Sequence, residues 1–417
     1  MTQRRRAQKK KKPLVLSLFT GAGGLDLGLE AAGFSIRLCV EVDEDARKTL
    51  KTNRRGWRLA EPGDVHKIDA KSLLAQAGVQ PRQIDLLAGG PPCQPFSKSA
   101  YWANGGAQGL RDPRAETLRE YIRIIEMVLP RSILLENVRG LASGDKKGGG
   151  LRLIENAFRS INYRHGTNYR PQVIQLNAAD YGVPQFRERV FIVASIDGRQ
   201  LDMWKPTHGM GEGLLPYRTA WDAIGDLDRN TWPEELNPMG KWAALLPSIP
   251  EGQNYLWHTP RSNGQPLFGW RTRYWSFLLK LAKNQPSWTI QAQPGPATGP
   301  FHWRNRMLSM EELARLQTFP RDYRVEGNRR SAQRQLGNAV PCAIGELLGL
   351  EIRRQFFDHS VRRYLKLIPA QRKDCPPPAR TERVLPCYLS LRGKHKDHPG
   401  TGRGPGARRR ERIEARA

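Results

Sequence analysis

The sequence predicts an α/β protein, a doubly wound, mostly parallel sheet with a second, smaller, loop-rich domain. Three observations carry this. Apolar runs of strand length alternate with helix-period stretches from residue 14 to about residue 195. Glycine and proline turns follow the first and third of those runs, at the carboxyl ends of strands, where open α/β sheets place their chemistry. From about Asp197 to Arg304 the texture changes to Trp, Pro, Gly and Asn with little periodicity, which marks a separate module.

Residues 14–19 are an apolar strand, 20–24 a glycine turn, and 25–32 a helix with Leu25, Leu27, Leu29 and Ala32 among its apolar positions. Residues 36–42 form the second strand. Further strands are expected over 84–88, 132–135, 173–176 and 190–194, with helical stretches such as 118–128 between them. Ser309 and Glu312 are spaced as a capping box for a helix over 309–317, and helical texture returns over 343–367. After Pro369 the chain is rich in Pro, Gly and Arg, a composition that buries too little surface to order itself. The expected division is a basic arm over 1–12, a catalytic and cofactor domain over 13–196, the irregular module over 197–305, a return to the first domain over 306–368, and a disordered basic tail over 369–417.

The formal net charge of the 417 residues is +28. Residues 1–12 hold seven Lys or Arg and no acid, and residues 371–417 hold thirteen against five acids, so the body between them is itself basic. A basic body as well as basic tails points to a polyanionic partner, most simply nucleic acid. The five cysteines, at 39, 93, 342, 375 and 387, are scattered and odd in number, which fits neither a disulfide framework nor a zinc site and implies a reducing compartment and no metal. The charged start and the apolar run after it imitate a secretory signal. That run is short and passes into Thr20-Gly-Ala-Gly-Gly24 rather than a cleavage site, and no apolar stretch approaches a membrane span, so a cytoplasmic protein is expected.

The most informative loop is Gly90-Pro-Pro-Cys-Gln-Pro-Phe-Ser97. Its prolines and glycine stop the preceding strand and fix a turn with Cys93 at its tip. A free cysteine is ordinarily a small buried hydrophobe. Here the thiol is displayed at the carboxyl end of a strand, which makes Cys93 the candidate nucleophile. Phe19-Thr-Gly21-Ala-Gly23-Gly24 lies between the first strand and helix, where glycines let a backbone approach a ligand closely. As a dinucleotide fingerprint it fails, because Asp26 stands in place of the third glycine. Glu41 nonetheless arrives twenty residues after Gly21, at the end of the second strand, placed for ribose hydroxyls. A nucleoside without a pyrophosphate is implied, and S-adenosylmethionine fits. Asp64 and Val65 could read its adenine edge. Glu136, after the strand 132–135, lies at the carboxyl end of a strand like Cys93, as a cap partner or an acid. Gln185, Arg187 and Arg189 alternate into the strand 190–194 and so share one face.

Together these blocks resemble the DNA (cytosine-5) methyltransferases, in the bacterial modification type. The matching segments are Leu18-Phe-Thr-Gly-Ala-Gly-Gly24, Glu41 with Asp43, the Cys93 loop, Glu136-Asn-Val138, Gln185-Phe-Arg-Glu-Arg189, Arg315-Leu-Gln-Thr-Phe-Pro320 and Gly337-Asn-Ala-Val-Pro341, in the family's order across residues 13–368. Ser17 departs from the aspartate that many relatives carry in the first strand.

The resemblance implies a Rossmann-like S-adenosylmethionine-dependent fold, with a target-recognition domain over 197–305 and double-stranded DNA as partner. It implies that Cys93 adds to carbon 6 of a flipped-out cytosine, that Glu136 holds ring nitrogen 3, that Arg189 binds oxygen 2 and that Arg187 supports the same pocket. The cofactor contacts it implies are Phe19, Gly21, Gly23, Gly24, Leu25, Glu41, Val42, Asp64, Val65, Pro91 and Asn338. A separate restriction endonuclease is a possible companion. Two alternatives stand beside this. A tRNA cytosine-5 methyltransferase resembles the family in the same Pro-Pro-Cys-Gln loop, but the Cys-Phe-Thr tripeptide of those relatives does not occur here. A catalytically silent DNA-binding relative would have no need of Cys93, Glu136 and Arg189 together.

Overall fold

The computed structural model describes residues 11–91, 116–137, 150–270 and 272–394. Six strands, β1 (Leu14–Leu18), β2 (Ser35–Val40), β3 (Leu86–Gly89), β4 (Ser132–Asn137), β5 (Gln172–Asn177) and β6 (Glu188–Ser195), form one sheet in the order β2-β1-β3-β4-β6-β5. The first four are mutually parallel. β6 runs against both of its neighbours. The sheet is therefore mostly parallel, as expected, with an antiparallel end that the sequence reading did not anticipate.

Strand alternation sends side chains to two cores. Val15, Leu86, Ala88 and Leu134 face one side, packed by α1 (Gly24–Ala31) and the late helix Cys342–Gln355. Leu16, Leu87, Ile133 and Leu135 face the other, under the helices Ala70–Ala77, Glu116–Val128 and Gly150–His165. α1 meets the late helix at van der Waals distance because both carry glycine at the crossing. A Cβ on Gly28 would lie 2.2 Å from the Cys342 carbonyl oxygen, so no larger residue fits. The return of the chain thus closes the first domain from its far end. Ser309 and Glu312 form the expected capping box at Met310–Leu316, and Glu312 also takes two hydrogen bonds from Arg306, at 2.7 and 2.8 Å.

Two expectations are corrected. The late helix ends at Gln355 rather than near residue 367. The chain turns at Asp358, whose φ is +53°, and His359 N–H then bonds back to the Arg353 carbonyl at 3.0 Å. Within the expected tail, the segment around Tyr388 docks on the irregular module. Tyr388, in the short helix Pro386–Leu389, stacks on Trp242 with centroids 6.1 Å apart and donates its hydroxyl to the Lys241 carbonyl at 2.7 Å. The composition of this segment cannot build a core, but it borrows one: Tyr388, Val384, Leu389 and Leu391 pack into the apolar cluster of the irregular module, with Leu245, Phe268 and Phe277. Residues 395–417 and 1–10 lie outside the described residues.

Candidate active site

β1 sends its connection to β2 on one side while β3 pairs with its other edge, so a crevice opens at the carboxyl ends of these strands. A cavity of about 300 Å³ occupies it, at the lower end of the usual range for small-molecule sites. Of the expected cofactor residues, Phe19, Gly21, Gly24, Leu25, Glu41, Val42, Pro91 and Asn338 line this cavity, and so does Glu136. The turn over it is tight. Phe19, Gly21 and Gly23 all have positive φ, at +54°, +56° and +77°, and for Phe19 this is a strained backbone of the kind that concentrates at ligand sites.

Glu41 is held rigidly. Its Oε2 accepts from Gly21 N–H at 2.6 Å and its Oε1 from Asp43 N–H at 2.8 Å, which couples the end of β2 to the glycine turn. Burial raises its pKa, and those two backbone donors oppose the rise. Gly23 stands behind the turn, against Leu50 and Trp57 rather than in the cavity. Asp64 and Val65 are not lining residues: the Asp64 carboxylate caps His66 N–H at 3.0 Å, and the Val65 carbonyl accepts from Arg123 at 3.0 Å.

Sequence reasoning missed Asp26, Asp43, Arg334 and Gln335, which also line the cavity. Asp26 is 1% exposed, its Oδ1 has no hydrogen-bond partner, and burial pushes its pKa up to about 7 against the smaller lowering effect of Ser17. The signal was present: an acid inside an apolar helix start, where the fingerprint requires glycine. Among the described residues, four carboxylates (Asp26, Glu41, Asp43, Glu136) and a single guanidinium (Arg334) line the cavity. Arg334 pairs with Asp43 and Arg189 with Glu136, which leaves Glu41 and Asp26 without a cationic partner among the described residues, a hollow that favours a small cation over a phosphate. An orphaned carboxylate oxygen and a rigid ribose-type acceptor fit S-adenosylmethionine, which is both cationic and a nucleoside.

At the edge of the cavity Glu136, at the carboxyl end of β4, pairs with Arg189 of β6, Nε to Oε1, at 2.8 Å. The antiparallel β4–β6 register brings the two strands' facing ends together. Gly90 abuts the same carboxylate: a Cβ there would lie 2.9 Å from Oε2. The neighbouring Asn137 donates to the Pro91 carbonyl at 3.4 Å, tying the root of the loop to the acid's own strand. Cys93 itself lies outside the described residues.

Arg187 does not line the cavity. It is buried, and its guanidinium donates to the carbonyls of Gly337 (2.7 Å), Ala339 (2.9 Å) and Ile290 (3.2 Å). Gln185 joins the same knot, accepting from Ile290 N–H at 3.1 Å and donating to Gln317 at 3.0 Å. These residues fasten β6 to the exit of the irregular module and to the turn that carries Asn338. Arg187 thus sits in this knot, beside the cavity rather than in its lining. Among the described residues no cluster of three metal-ligating side chains occurs, and no helix is long and apolar enough to cross a membrane.

Fold and site together define an α/β methyltransferase: a doubly wound sheet with an acidic, nucleoside-sized cavity at its switch point and an acid–guanidinium pair at the rim. The same fold occurs in a DNMT2 variant from Spodoptera frugiperda, with TM-score 0.56 and 17% identity over 82% of this chain and all of that one. Residues 14–354 match the family model for C-5 cytosine-specific DNA methylase, and the chain belongs to that family. It is 37% identical to the Type II methyltransferase M.SacI of Streptomyces achromogenes, over 80% of this chain and 91% of that protein. It is 34% identical to M.NgoFVII of Neisseria gonorrhoeae, over 79% and 83%. The protein is a cytosine-5 DNA methyltransferase of the Type II restriction–modification kind.

Proposed function

We propose that the enzyme methylates carbon 5 of a flipped-out cytosine within a specific double-stranded DNA sequence, using S-adenosylmethionine and a transient covalent bond to Cys93, as the modification partner of a separate restriction endonuclease. The observation that carries this is the Glu136–Arg189 pair, set between the acidic cavity and the loop that leads to Cys93.

Bound S-adenosylmethionine supplies a methyl group activated by a sulfonium charge. Asp26 and the rigid Glu41 would hold the cationic and ribose parts of that molecule. Cytosine's carbon 5 is a poor nucleophile, so the Cys93 thiolate adds to carbon 6 and turns the ring into an enamine. Glu136 holds or protonates ring nitrogen 3 and accepts from the exocyclic amine, stabilising the ring as the thiolate adds. Arg189 keeps that carboxylate oriented through Nε, is braced through Nη1 on the Glu188 carbonyl, and presents Nη2 to oxygen 2. After transfer a proton leaves carbon 5 and the thiolate is expelled, which restores the aromatic ring. None of these atoms is reachable in a stacked duplex, so the base must be extruded, at a cost of a few kcal/mol offset by pocket contacts. The irregular module is the reader of sequence in this scheme, because it lacks the sheet-and-helix texture that cofactor and chemistry require.

Bisulfite sequencing of DNA from a host expressing the chain tests the proposal. Protected cytosines in one recurring sequence are expected. DNA without protected cytosines would overturn it.

A further inference from the structure

The aromatic residues of the irregular module are not spent on its core alone. Tyr274 is 77% exposed and Trp275 is 55% exposed, yet their loop is firmly held. The buried Tyr255 donates its hydroxyl to the Arg273 carbonyl at 3.0 Å and accepts from Arg273 N–H at 3.3 Å. Asn254, also buried, donates to the Trp275 carbonyl at 2.7 Å. A rigid loop therefore presents two large rings to solvent, although each such ring has some 150–250 Å² to bury.

The rings continue inward. Trp275 meets Trp288 edge-on at 5.7 Å, Trp288 meets Phe186 at 5.5 Å, and Phe186 meets Tyr217 at 5.5 Å. Phe186 sits between Gln185 and Arg187, and its N–H bonds the Ser287 carbonyl at 2.8 Å, so the row is anchored to the segment that leads into Arg189. It runs from the surface of the module to Phe186, three residues before Arg189 in the chain.

We propose that Tyr274 and Trp275, held outward at the end of this row, form a stacking platform for a nucleobase of the DNA, one left without its partner when the target cytosine is extruded. This rests on the DNA-methylating reading above. Every base has a π-face, so aromatic platforms accept unpaired bases with little regard to sequence. Arg273, beside the two rings, supplies the charge that a phosphate backbone needs and that an apolar protein partner would not. The platform differs from the recognition of base edges in that it stabilises the opened duplex rather than choosing where it opens.

The test uses the full chain and a duplex carrying one unpaired 2-aminopurine, whose fluorescence falls when it stacks on an aromatic ring. The parent protein should quench it. Trp275→Ala should lose most of the quenching and bind that duplex about tenfold more weakly, the size expected for one stacked base, while fully paired duplex is bound alike by both. Trp275→Phe should keep most of the effect, which separates stacking from misfolding. Equal quenching and affinity in the parent and Trp275→Ala would overturn the platform. So would a dimer in sedimentation that Trp275→Ala dissolves, which would give the rings to a second copy. Bisulfite sequencing with the same proteins separates the two ideas. Quenching without methylation removes the enzymatic reading and leaves the platform; methylation without Trp275-dependent quenching does the reverse.

Discussion

Arg189 holds Glu136 through Nε at 2.8 Å, across the one antiparallel junction that β4 makes. The pair is largely buried, so the carboxylate's orientation is fixed before any base arrives. Glu136→Gln keeps the shape and removes the charge. Turnover in single-turnover assays should fall about a hundredfold or more, the usual contribution of a positioned acid or base. Arg189→Lys should also be costly, because an ammonium lacks the fork that reaches carboxylate and base together. Unchanged turnover in both variants would reduce the pair to a structural brace.

Gly90→Ala probes the same carboxylate without altering any chemical group. The added methyl would lie 2.9 Å from Glu136 Oε2, so the acid or the loop root must shift. A misplacement of about 1 Å can cost about a hundredfold in rate. The expectation is a large loss of methyl transfer with thermal unfolding nearly unchanged, compared side by side. A variant that methylates at the parental rate would show that the loop approaches the acid less closely than this.

Asp26 links the cavity to pH. Its folded pKa is raised to about 7 from 3.8, so between those values the native state holds a proton that the unfolded chain has lost. The group's contribution to stability is thus greatest at low pH and is lost as pH rises through about 7. Asp26→Asn should match the parent near pH 4, gain on it from there to pH 7, and exceed it at pH 8 by up to about 4 kcal/mol in urea unfolding. A cation in the cavity favours the ionised carboxylate, so S-adenosylmethionine should narrow this gap. A difference between the two proteins that does not change with pH would refute the assignment.

The parts legible in the sequence are those fixed by local backbone needs. The glycine turn, Glu41 and the Ser309 cap each follow from neighbours within a few residues, or from a strand end at a known spacing. What was not legible depends on contacts distant in the chain. The reversed direction of β6 is a property of its connections, not of its composition. Arg187 carries the same local signature as Arg189, yet it is consumed by carbonyls of Gly337 and Ala339, about 150 residues away. Asp26 stood out in the sequence only as an acid at the fingerprint's glycine position, and the cavity it lines is built by segments distant in the chain. The tail looked unable to order itself for the same reason: its core lies in another module.

The tail and arm make a final, two-part prediction. Residues 1–12 and 395–417 are rich in Lys and Arg, which neutralise phosphates without reading bases. Each phosphate contact contributes about 0.9 to the slope of log affinity against log salt. Removing both segments should flatten that slope and weaken specific and nonspecific DNA binding by similar factors, with the methylated site unchanged. A cut after residue 368 is different in kind, since it also removes Tyr388 from its place against Trp242 and Phe277. Tyr388→Ala alone should cost about 3 kcal/mol, the usual price of emptying an aromatic site in a core, whereas Tyr388→Phe forfeits only the bond to Lys241, about 1 kcal/mol. Hydrogen exchange should show the loss concentrated between residues 241 and 301, with the sheet unaffected. If the cut after 368 behaved like the cut after 394 in both exchange and choice of site, the segment between them would be decoration on the module rather than part of it.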